Sequence, residues 1–462
     1  MPRLNLSLIL FTLLVYVLTA GMSLQDRLLI STLHRMERNA YFDPTAQELF
    51  EGAMTGMADV LSEEHGDGYS VYIPPSRQTR YQDNLADRYE GLGVSLRTHE
   101  AREEKQLFID YPHYESPAYR GGLRSGDQIL EINGTSVADK TSSEIVRFLR
   151  QQGDAEIHLS VLPFGQTEPK DFFVHRETNY HPCVLGDYFD SGGRVFCLEA
   201  HPKIGYVWIA SFNPTTAKKF GEALDSMAQH GVESFILDLR DNPGGDVWSC
   251  VLVARMLMAP DPVLGKVIAL VRDRNGRERF RHRDFVLTEG SQRCTLPMVV
   301  LINGETASSS EILAAALQDH RRATIVGTRS FGKGVIQGII TLPFQSGMLQ
   351  LTDSEYARPS GAGIHRRKDA TETDAWGVIP DNIIELSEAE QSAVNQYRTL
   401  RSSVISSERS AVLDQFREQI IEEQNEGTAD SPPFKFTGAS PYYDLQLDEA
   451  IKVLLAKAFA GN

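Results

Sequence analysis

The chain has 462 residues, of which 41% are hydrophobic and 23% charged, a composition typical of a globular protein. This length predicts two or three folded units rather than one. The formal charge is −16 and no basic stripe is present, which argues against a nucleic-acid partner.

The N-terminus has the pattern of an export segment. Arg3 gives it a positive start, and residues 4–22 are almost wholly apolar. Small residues at positions 19–21 suit signal-peptide cleavage, whereas an apolar length of 19 residues also suffices for a membrane anchor. We therefore expect residues 1–22 to be a signal peptide or a membrane anchor. A buried core helix is the alternative.

Cysteine usage predicts neither a disulfide framework nor a zinc site. The chain has four cysteines, of which Cys183 and Cys197 are the nearest pair, and it contains no Cys-x-x-Cys motif. Export would permit a bridge between that pair. No group of cysteines and histidines has the spacing of a metal site, so we expect no metal and no cofactor.

The pattern of elements divides the rest of the chain into four regions. Residues 24–84 are mainly helical in their apolar spacing, and residues 85–165 combine short strands with glycine turns in a small β-rich module. Residues 166–385 alternate buried strands with helices, and residues 386–462 form a helical extension interrupted by a linker at 426–433. The prediction is a multidomain α/β (α+β) protein, with a layered α/β core and an inserted β-rich domain.

A cluster of three serines follows one of the buried strands and enters a helix. Ser308 is the first of the three, in the segment Thr-Ala-Ser-Ser-Ser-Glu-Ile. The strand would hold a nucleophile rigidly at this point, and the free N–H groups of the helix start would stabilise an oxyanion. The alternative interpretation is that the serines cap the helix.

The segment Ser-Phe-Gly-Lys-Gly offers a candidate base. Lys333 lies between two glycines, so its backbone can approach other groups closely. A lysine activates a serine only when its pKa is lowered enough to make the amine neutral near pH 7. If the segment is a strand, Gln337 shares a face with Lys333 and its amide oxygen could orient the lysine. A solvated loop lysine and an ordinary strand glutamine are the alternatives.

A glycine turn, Asp-Leu-Arg-Asp-Asn-Pro-Gly-Gly, ends another buried strand. Gly244 and Gly245 allow backbone N–H groups to point into a cavity, which suits a donor of an oxyanion hole. An ordinary strand-to-helix turn is the alternative.

Together these motifs resemble those of the C-terminal processing (tail-specific) peptidases. The motifs TASSSEI, SFGKG, DLRDNPGG and GVIPD stand in the order of that family, and Ser308 and Lys333 are 25 residues apart, as in its members. The resemblance covers roughly residues 30–385. It implies that Ser308, rather than Ser309 or Ser310, is the nucleophile and that Lys333 is the general base. Gln337 would be the supporting glutamine. The two oxyanion donors would be the N–H group of Ser309 and that of Gly244 or Gly245.

The module at residues 85–165 is similar to a circularly permuted PDZ domain of bacterial peptidases. The resemblance implies a loop that binds a substrate C-terminal carboxylate, made of Gly91, Leu92, Gly93 and Val94. The helix at 142–151 would form the other wall, with Ile145 and Leu149 lining a pocket for an apolar terminal residue. Packing of the module's own core is the alternative for these apolar residues.

The resemblance implies a serine endopeptidase that cleaves proteins near their C-termini through an acyl-enzyme. It would be exported, and either periplasmic or anchored to the inner membrane facing the periplasm. Its expected partners are protein or peptide substrates with exposed C-termini, with a membrane tether, a homodimer or an adaptor protein left open. Two alternatives compete: a catalytically silent PDZ scaffold, and a serine hydrolase with a histidine base, for which His320 is the nearest candidate.

Overall fold

A computed structural model describes residues 23–101, 104–114, 116–138, 140–151, 156–190, 193–278, 285–403 and 444–460. The apolar segment 1–22 and the linker at 426–433 lie outside these ranges. The chain forms two compact units. One contains the residues up to Thr79 together with Gln337–Asp353, and the other contains Arg80–Ile336 and the residues from Ser354 onward.

The described residues form the following helices and strands, in chain order. The helices are α1 (Leu24–Asn39), α2 (Ala46–His65), α3 (Gln78–Leu85), α4 (Pro117–Arg120), α5 (Ser142–Gln151), α6 (Thr216–Gln229), α7 (Val247–Leu257), α8 (Ser309–Asp319), α9 (Glu388–Ser403) and α10 (Leu445–Ala460). The strands are β1 (Val71–Ile73), β2 (Arg88–Gly91), β3 (Val94–Ala101), β4 (Glu104–Pro112), β5 (Gln128–Ile132), β6 (Thr135–Ser136), β7 (Ile157–Leu162), β8 (Lys170–Val174), β9 (Glu177–Tyr180), β10 (Val184–Leu185), β11 (Tyr188–Asp190), β12 (Gly193–Val195), β13 (Cys197–Leu198), β14 (His201–Ile209), β15 (Ser234–Asp238), β16 (Leu270–Asp273), β17 (Met298–Ile302), β18 (Thr324–Gly327), β19 (Val335–Thr341), β20 (Met348–Ala357) and β21 (Asn382–Ile383).

The first two described helices each begin with a capping box. Ser23 caps α1 and Thr45 caps α2. In each box the cap hydroxyl accepts the backbone N–H of the acidic residue three positions later, and the carboxylate of that residue accepts the backbone N–H of the cap. Gly66 ends α2 in a left-handed conformation, with φ 70°. Helices α1 and α2 lie where the apolar spacing predicts helices, and the region also contains β1, which pairs antiparallel with the first residues of β20.

The β-rich module lies in the second unit and is antiparallel. Its strand order is β3-β4-β5-β7-β8, with β6 beside β5. Its core is a separate cluster of buried apolar side chains that includes Leu107, Ile109, Ile132 and Leu159. β3 is an edge strand of this sheet.

The central sheet of the second unit is mostly parallel. Its order is β10-β14-β15-β17-β18-β21, with β13 beside β14. The strands from β14 to β21 along this path run parallel, whereas β10 and β13 are antiparallel to β14. Helices α6, α7 and α8 connect successive parallel strands. The predicted fold class, a layered α/β core with an inserted β-rich domain, is confirmed.

Both faces of the central sheet are buried. In β14, Val207 belongs to one apolar cluster and its neighbour Tyr206 to another, because successive side chains of a strand point to opposite faces. The first cluster includes residues of α6, α7 and α8, and α10 adds Ala450 and Leu454 to the second. Burial on both faces explains why these strands appear in the sequence as continuous apolar runs.

The parallel direction brings three loops to one edge of the sheet. The register pairs Asp238 with Leu301, and Ile302 with Gly327, so β15, β17 and β18 end at the same edge. The loops that leave these ends carry the glycine turn, the serine cluster and the lysine segment. In open α/β sheets the carboxyl edge of the strands is where functional sites form.

All four cysteines are buried and free, so the bridge considered between Cys183 and Cys197 is not formed in this structure. Among the helices that the structure describes, none has both the length and the apolar character needed to cross a bilayer.

Candidate active site

Ser308 lies in a strained turn between β17 and α8. Its φ is 58° and its ψ −119°, and a positive φ at a residue other than glycine is uncommon and costs about 1–3 kcal/mol. Ser308 is also the N-cap residue of α8, so the capping position and the position of the candidate nucleophile coincide. The N–H group of Ser309 and the positive end of the helix dipole therefore lie beside it.

The three consecutive serines differ in accessibility. Ser308 is partly exposed, whereas Ser309 and Ser310 are fully buried. The Ser309 hydroxyl donates to the carbonyl oxygen of Gly245 at 2.8 Å. Ser308 is therefore the one of the three that a substrate can reach.

The glycine turn packs directly against the serine. A methyl group added to Gly244 would lie 2.7 Å from Ser308 Cβ, and one added to Gly245 would lie 2.0 Å from the carbonyl oxygen of Phe212. Both glycines have positive φ, 96° and 126°, so a larger residue at Gly244 would displace the serine turn and one at Gly245 would displace the backbone of Phe212.

The predicted oxyanion donors have different hydrogen-bond partners. The Gly244 N–H donates to Asn242 Oδ1 at 2.9 Å. For the N–H groups of Gly245 and Ser309, we find no acceptor within the part of the chain that the structure describes. Of the predicted set, these two N–H groups are thus available to a ligand in this structure.

A buried glutamate joins the serine turn to the lysine segment. Glu311 Oε2 accepts the backbone N–H of Ser308 at 2.9 Å and that of Lys333 at 2.7 Å. Glu311 Oε1 accepts the N–H of Gly332 and the hydroxyl of Ser330, both at 2.6 Å. Because Ser308 and Lys333 share one acceptor atom, their backbones lie side by side.

Burial changes the pKa of both ionisable groups. It lowers the pKa of the Lys333 amine below its ordinary value, and the charge of Glu311 opposes that change. It raises the pKa of the Glu311 carboxyl, while the hydrogen bonds from its four donors oppose the rise. A lowered lysine pKa increases the fraction of neutral amine near pH 7, which is the form that a general base requires.

Glu311 is not among the site residues predicted from the sequence. A signal was present, because Ser308 followed by Glu311 three residues later has the capping-box pattern. That pattern predicts the bond between Glu311 and the Ser308 N–H. It does not predict the bonds to the lysine segment, since these depend on β17 and β18 being neighbours in the sheet.

Gln337 lies in the first unit, whereas Ser308 and Lys333 lie in the second. Its Nε2 donates to Thr352 Oγ1 at 3.2 Å, and Thr352 Oγ1 in turn donates to Asp67 at 2.9 Å. The part that Gln337 plays in catalysis stays a prediction.

Lys333 and Gln337 share a strand face only if the segment that contains both is a strand, and the structure does not meet this condition. β19 begins at Val335, so Lys333 precedes the strand. The reason is local: Gly332 has φ 88°, and the backbone of Gly334 packs tightly against that of a neighbouring loop. The chain therefore becomes extended only after the lysine.

The loop at residues 91–94 turns carbonyl groups into the β-rich module. The carbonyl oxygens of Leu92 and Gly93 accept backbone N–H groups at 2.9 and 2.8 Å. Gly93 has φ 77°, and a methyl group on it would lie 2.2 Å from Ser116 Cβ. Within the described ranges, the N–H groups of Leu92 and Gly93 have no acceptor. This arrangement suits the binding of a carboxylate.

The predicted pocket residues of the module differ in burial. Ile145 on α5 is fully buried in the module core, and Leu92 is buried there as well. Leu149 is only partly buried and packs against the same core. The expectation that Ile145 lines an open pocket is therefore corrected, because its side chain has no accessible surface. Leu149 keeps an accessible face.

The histidine considered as an alternative base lies at the other end of α8. His320 follows the last residue of the helix, and its Nε2 contacts the carbonyl oxygen of Val267 at 2.7 Å. The 11 residues of α8 correspond to about 16 Å at a rise of ~1.5 Å per residue. His320 is thus too far from Ser308 to accept its proton.

The chain is similar to known proteins over most of its length. The model of peptidase family S41 matches residues 203–384, and that of the PDZ domain matches residues 83–162. The carboxy-terminal-processing protease of Bartonella bacilliformis is 30% identical over 418 residues, which cover 89% of this chain and 84% of that protein. The carboxyl-terminal-processing protease of Synechocystis is 31% identical over 317 residues, covering 69% and 67%. The carboxy-terminal processing protease CtpA of Bacillus subtilis is 29% identical over 334 residues, covering 71% and 65%. This chain therefore belongs to the carboxy-terminal-processing proteases, and is a serine-type peptidase of family S41 with a PDZ domain.

Proposed function

We propose that the chain is an endopeptidase that cleaves proteins near their C-termini through an acyl-enzyme, with Ser308 as nucleophile and Lys333 as general base. The observation that carries this proposal is the Glu311 carboxylate oxygen that holds the backbones of both residues. The accessibility of Ser308 and the lowered pKa of the Lys333 amine support the same assignment.

In the first half of the reaction, the neutral Lys333 amine accepts the hydroxyl proton of Ser308 while Oγ attacks the scissile carbonyl carbon. The π electrons of the carbonyl move onto its oxygen, and the N–H groups of Gly245 and Ser309 stabilise the resulting oxyanion. When this intermediate collapses, the C–N bond breaks and the Lys333 ammonium returns its proton to the leaving amine. An ester between Ser308 and the substrate remains.

In the second half, water replaces the amine. Lys333 accepts a proton from the water as its oxygen attacks the ester carbon, and the same N–H groups stabilise the second oxyanion. Collapse breaks the ester bond, the proton passes to Ser308 Oγ, and the carboxylic acid product leaves. The predicted contribution of Gln337 is to orient the lysine through its amide oxygen.

The PDZ domain is proposed to bind the C-terminal tail of the substrate. The N–H groups of Leu92 and Gly93, which have no acceptor within the described residues, would hold the terminal carboxylate, and the tail would add as a strand along the outer edge of β3. Binding in this mode places the scissile bond upstream of the tail, which accounts for cleavage near C-termini.

Export to the periplasm, with or without retention at the inner membrane, is proposed from the apolar segment 1–22. A membrane tether, a homodimer or an adaptor protein would be further partners in that setting. N-terminal sequencing of protein isolated from the cell envelope checks the proposal. A start near residue 22 supports cleavage, an intact start supports an anchor, and protein confined to the cytosol contradicts export.

The nucleophile is tested by Ser308→Ala. We expect the variant to lose cleavage of an unfolded protein with an apolar C-terminus by about 10⁴-fold or more, as in other serine hydrolases. A fluorophosphonate should label the unaltered protein but not this variant. Ser310→Ala is the matched control, because this hydroxyl is buried. Cleavage by Ser308→Ala contradicts the assignment, and absence of both cleavage and labelling in the unaltered protein favours the silent scaffold.

The general base is tested by the pH dependence of kcat/KM. We expect kcat/KM to rise with pH and to reach a plateau above an apparent pKa. That apparent pKa should lie below the ordinary lysine value of about 10.4. The reason is that only the neutral amine accepts a proton, and burial lowers the Lys333 pKa. Lys333→Arg stays protonated and should be inactive. His365→Ala, altered at a loop packed on Gly334, should keep the profile. An acid optimum contradicts the lysine mechanism.

The Glu311 link is tested by Glu311→Gln. The amide places an NH₂ group opposite backbone donors, so at least one buried N–H loses its acceptor, at a cost of about 1–3 kcal/mol in the free energy of unfolding. We expect kcat to fall by about 10- to 100-fold, because the serine and the lysine lose their fixed spacing. Glu305→Gln, at an exposed position before Ser308, is the control. Lowered stability with unchanged kcat would show that Glu311 has a structural effect alone.

Tail recognition is tested with one substrate that ends in a free carboxylate or in an amide. We expect about tenfold or more higher kcat/KM for the carboxylate form, because the amide lacks the charge that the loop N–H groups would bind. Gly93→Ala should remove this preference, since the added methyl group displaces the loop. Gly134→Ala is the control, because its φ of 72° is also positive but a methyl group there meets no atom within 4 Å. Equal rates for the two substrates contradict tail recognition.

A further inference from the structure

A buried arginine of the C-terminal extension contacts the turn beside the candidate nucleophile. Arg398 on α9 is 7% exposed, and its guanidinium lies 4.1 Å from the ring centre of Trp208. Its Nη1 donates to Asp238 Oδ2 at 3.2 Å, and its Nη2 donates to Asp241 Oδ2. Asp238 ends β15, and Asp241 lies within the glycine turn that follows.

Asp241 connects this arginine to the serine loop. Asp241 has φ 58°, a conformation that needs support from its surroundings. Its N–H donates to Asn303 Oδ1 at 3.0 Å, and Asn303 Nδ2 donates back to Asp241 Oδ1 at 2.9 Å. Asn303 opens the loop that leads to Ser308, and Ala307 N–H donates to the carbonyl oxygen of Asn242 at 2.9 Å. The two loops are thus joined by several bonds close to the nucleophile.

The charges around Asp238 show which contact depends on Arg398. Arg240 already pairs with Asp238 through Nε and Nη2, at 3.0 and 2.7 Å, and with Asp444 at 2.8 Å. Asp238 therefore keeps a cationic partner without Arg398. Asp241 is different, because among the ion pairs of the described residues its partner is Arg398. Removing this arginine would leave Asp241 without a counter-charge at a strained point of the turn.

We propose that Arg398 is a positioning residue for the reaction: through Asp241 it holds the glycine turn, and with it the Gly245 N–H, in register with Ser308. On this view α9 is part of the catalytic scaffold and has a function beyond covering the core. The inference rests on the proposed function, because it assumes that the oxyanion forms between this turn and Ser308.

The chain offers a matched control on the same helix. Arg401 lies three residues after Arg398, is also largely buried, and pairs with Asp187 at 2.6 Å and Glu199 at 3.2 Å. Neither of these acids belongs to the glycine turn or to the serine loop. Arg398→Gln and Arg401→Gln each remove one arginine from the ion pairs of α9, and the altered positions differ in what they contact.

The test measures kcat and KM for a short peptide, the rate of fluorophosphonate labelling, and Tm. We expect Arg398→Gln to lower kcat and the labelling rate by about 10- to 100-fold, with KM changed less than about twofold. The reason is that a small displacement of the Gly245 N–H weakens the stabilisation of the transition state. Arg401→Gln should lower Tm but leave kcat and labelling unchanged. Asp241→Asn should reproduce the kcat loss, and the double variant Arg398→Gln with Asp241→Asn should be no slower than either single variant.

Arg398→Lys keeps the buried charge and serves where Arg398→Gln fails to fold. A lysine presents one point charge and cannot bridge two carboxylates as the Arg398 guanidinium does. We therefore expect kcat to fall still, while Tm stays closer to that of the unaltered protein. Unchanged kcat in Arg398→Lys and Asp241→Asn overturns the inference, as does an equal kcat loss in Arg401→Gln. If the unaltered protein is not labelled, or if Ser308→Ala still cleaves, the proposed function itself fails.

Discussion

One buried carboxylate holds the candidate active site together. Glu311 receives hydrogen bonds from four donors, and these come from the serine turn and from the lysine segment. A buried carboxylate without such partners would be strongly destabilised by desolvation. With them it becomes a fixed link between two loops that follow different strands. The Ser330 hydroxyl extends the link, because it also accepts the N–H of Val378 at 2.7 Å. The Gly-Val-Ile-Pro-Asp segment is thereby hydrogen-bonded to the segment that contains the lysine.

The parallel sheet explains why these loops meet at all. Adjacent parallel strands end at one edge, and the apolar cores on both faces keep those ends rigid. The close approach of the glycine turn to the serine turn requires glycine at position 244. Ser308 keeps its positive φ because the surrounding hydrogen bonds hold the turn in this conformation. Strain at a candidate nucleophile is a common property of active sites, where the rest of the fold maintains a conformation that the residue alone would not adopt.

The PDZ domain is inserted so that the core is undisturbed. β2 at its start pairs antiparallel with β9, which follows the last strand of the domain's sheet, so the chain enters and leaves the domain at one place. The carboxylate of Asp87, just before β2, accepts hydrogen bonds from Ser211 at 2.8 Å and Asn213 at 3.1 Å. These two residues follow β14 of the central sheet. The connection between the domain and the core therefore includes polar contacts.

Local patterns in the sequence determined the kinds of elements and the order of the motifs. Buried apolar runs predicted the strands of the core, helical apolar spacing predicted the N-terminal helices, and glycines predicted the tight turns, because each of these signals acts within a few residues. The resemblance to a peptidase family selected Ser308 from three neighbours, and the greater burial of Ser309 and Ser310 agrees with that choice.

Tertiary structure alone decided which distant groups meet. Glu311 reaches the lysine segment because β17 and β18 are adjacent, and Arg398 reaches the glycine turn from a helix more than 150 residues away in the chain. The burial of Ile145 and the use of the Gly244 N–H by Asn242 depend equally on packing. Sequence patterns report the periodicity of one segment, whereas hydrogen bonds and burial depend on which segments become neighbours. For that reason the sequence determined the candidate residues, and the fold decided how they are held.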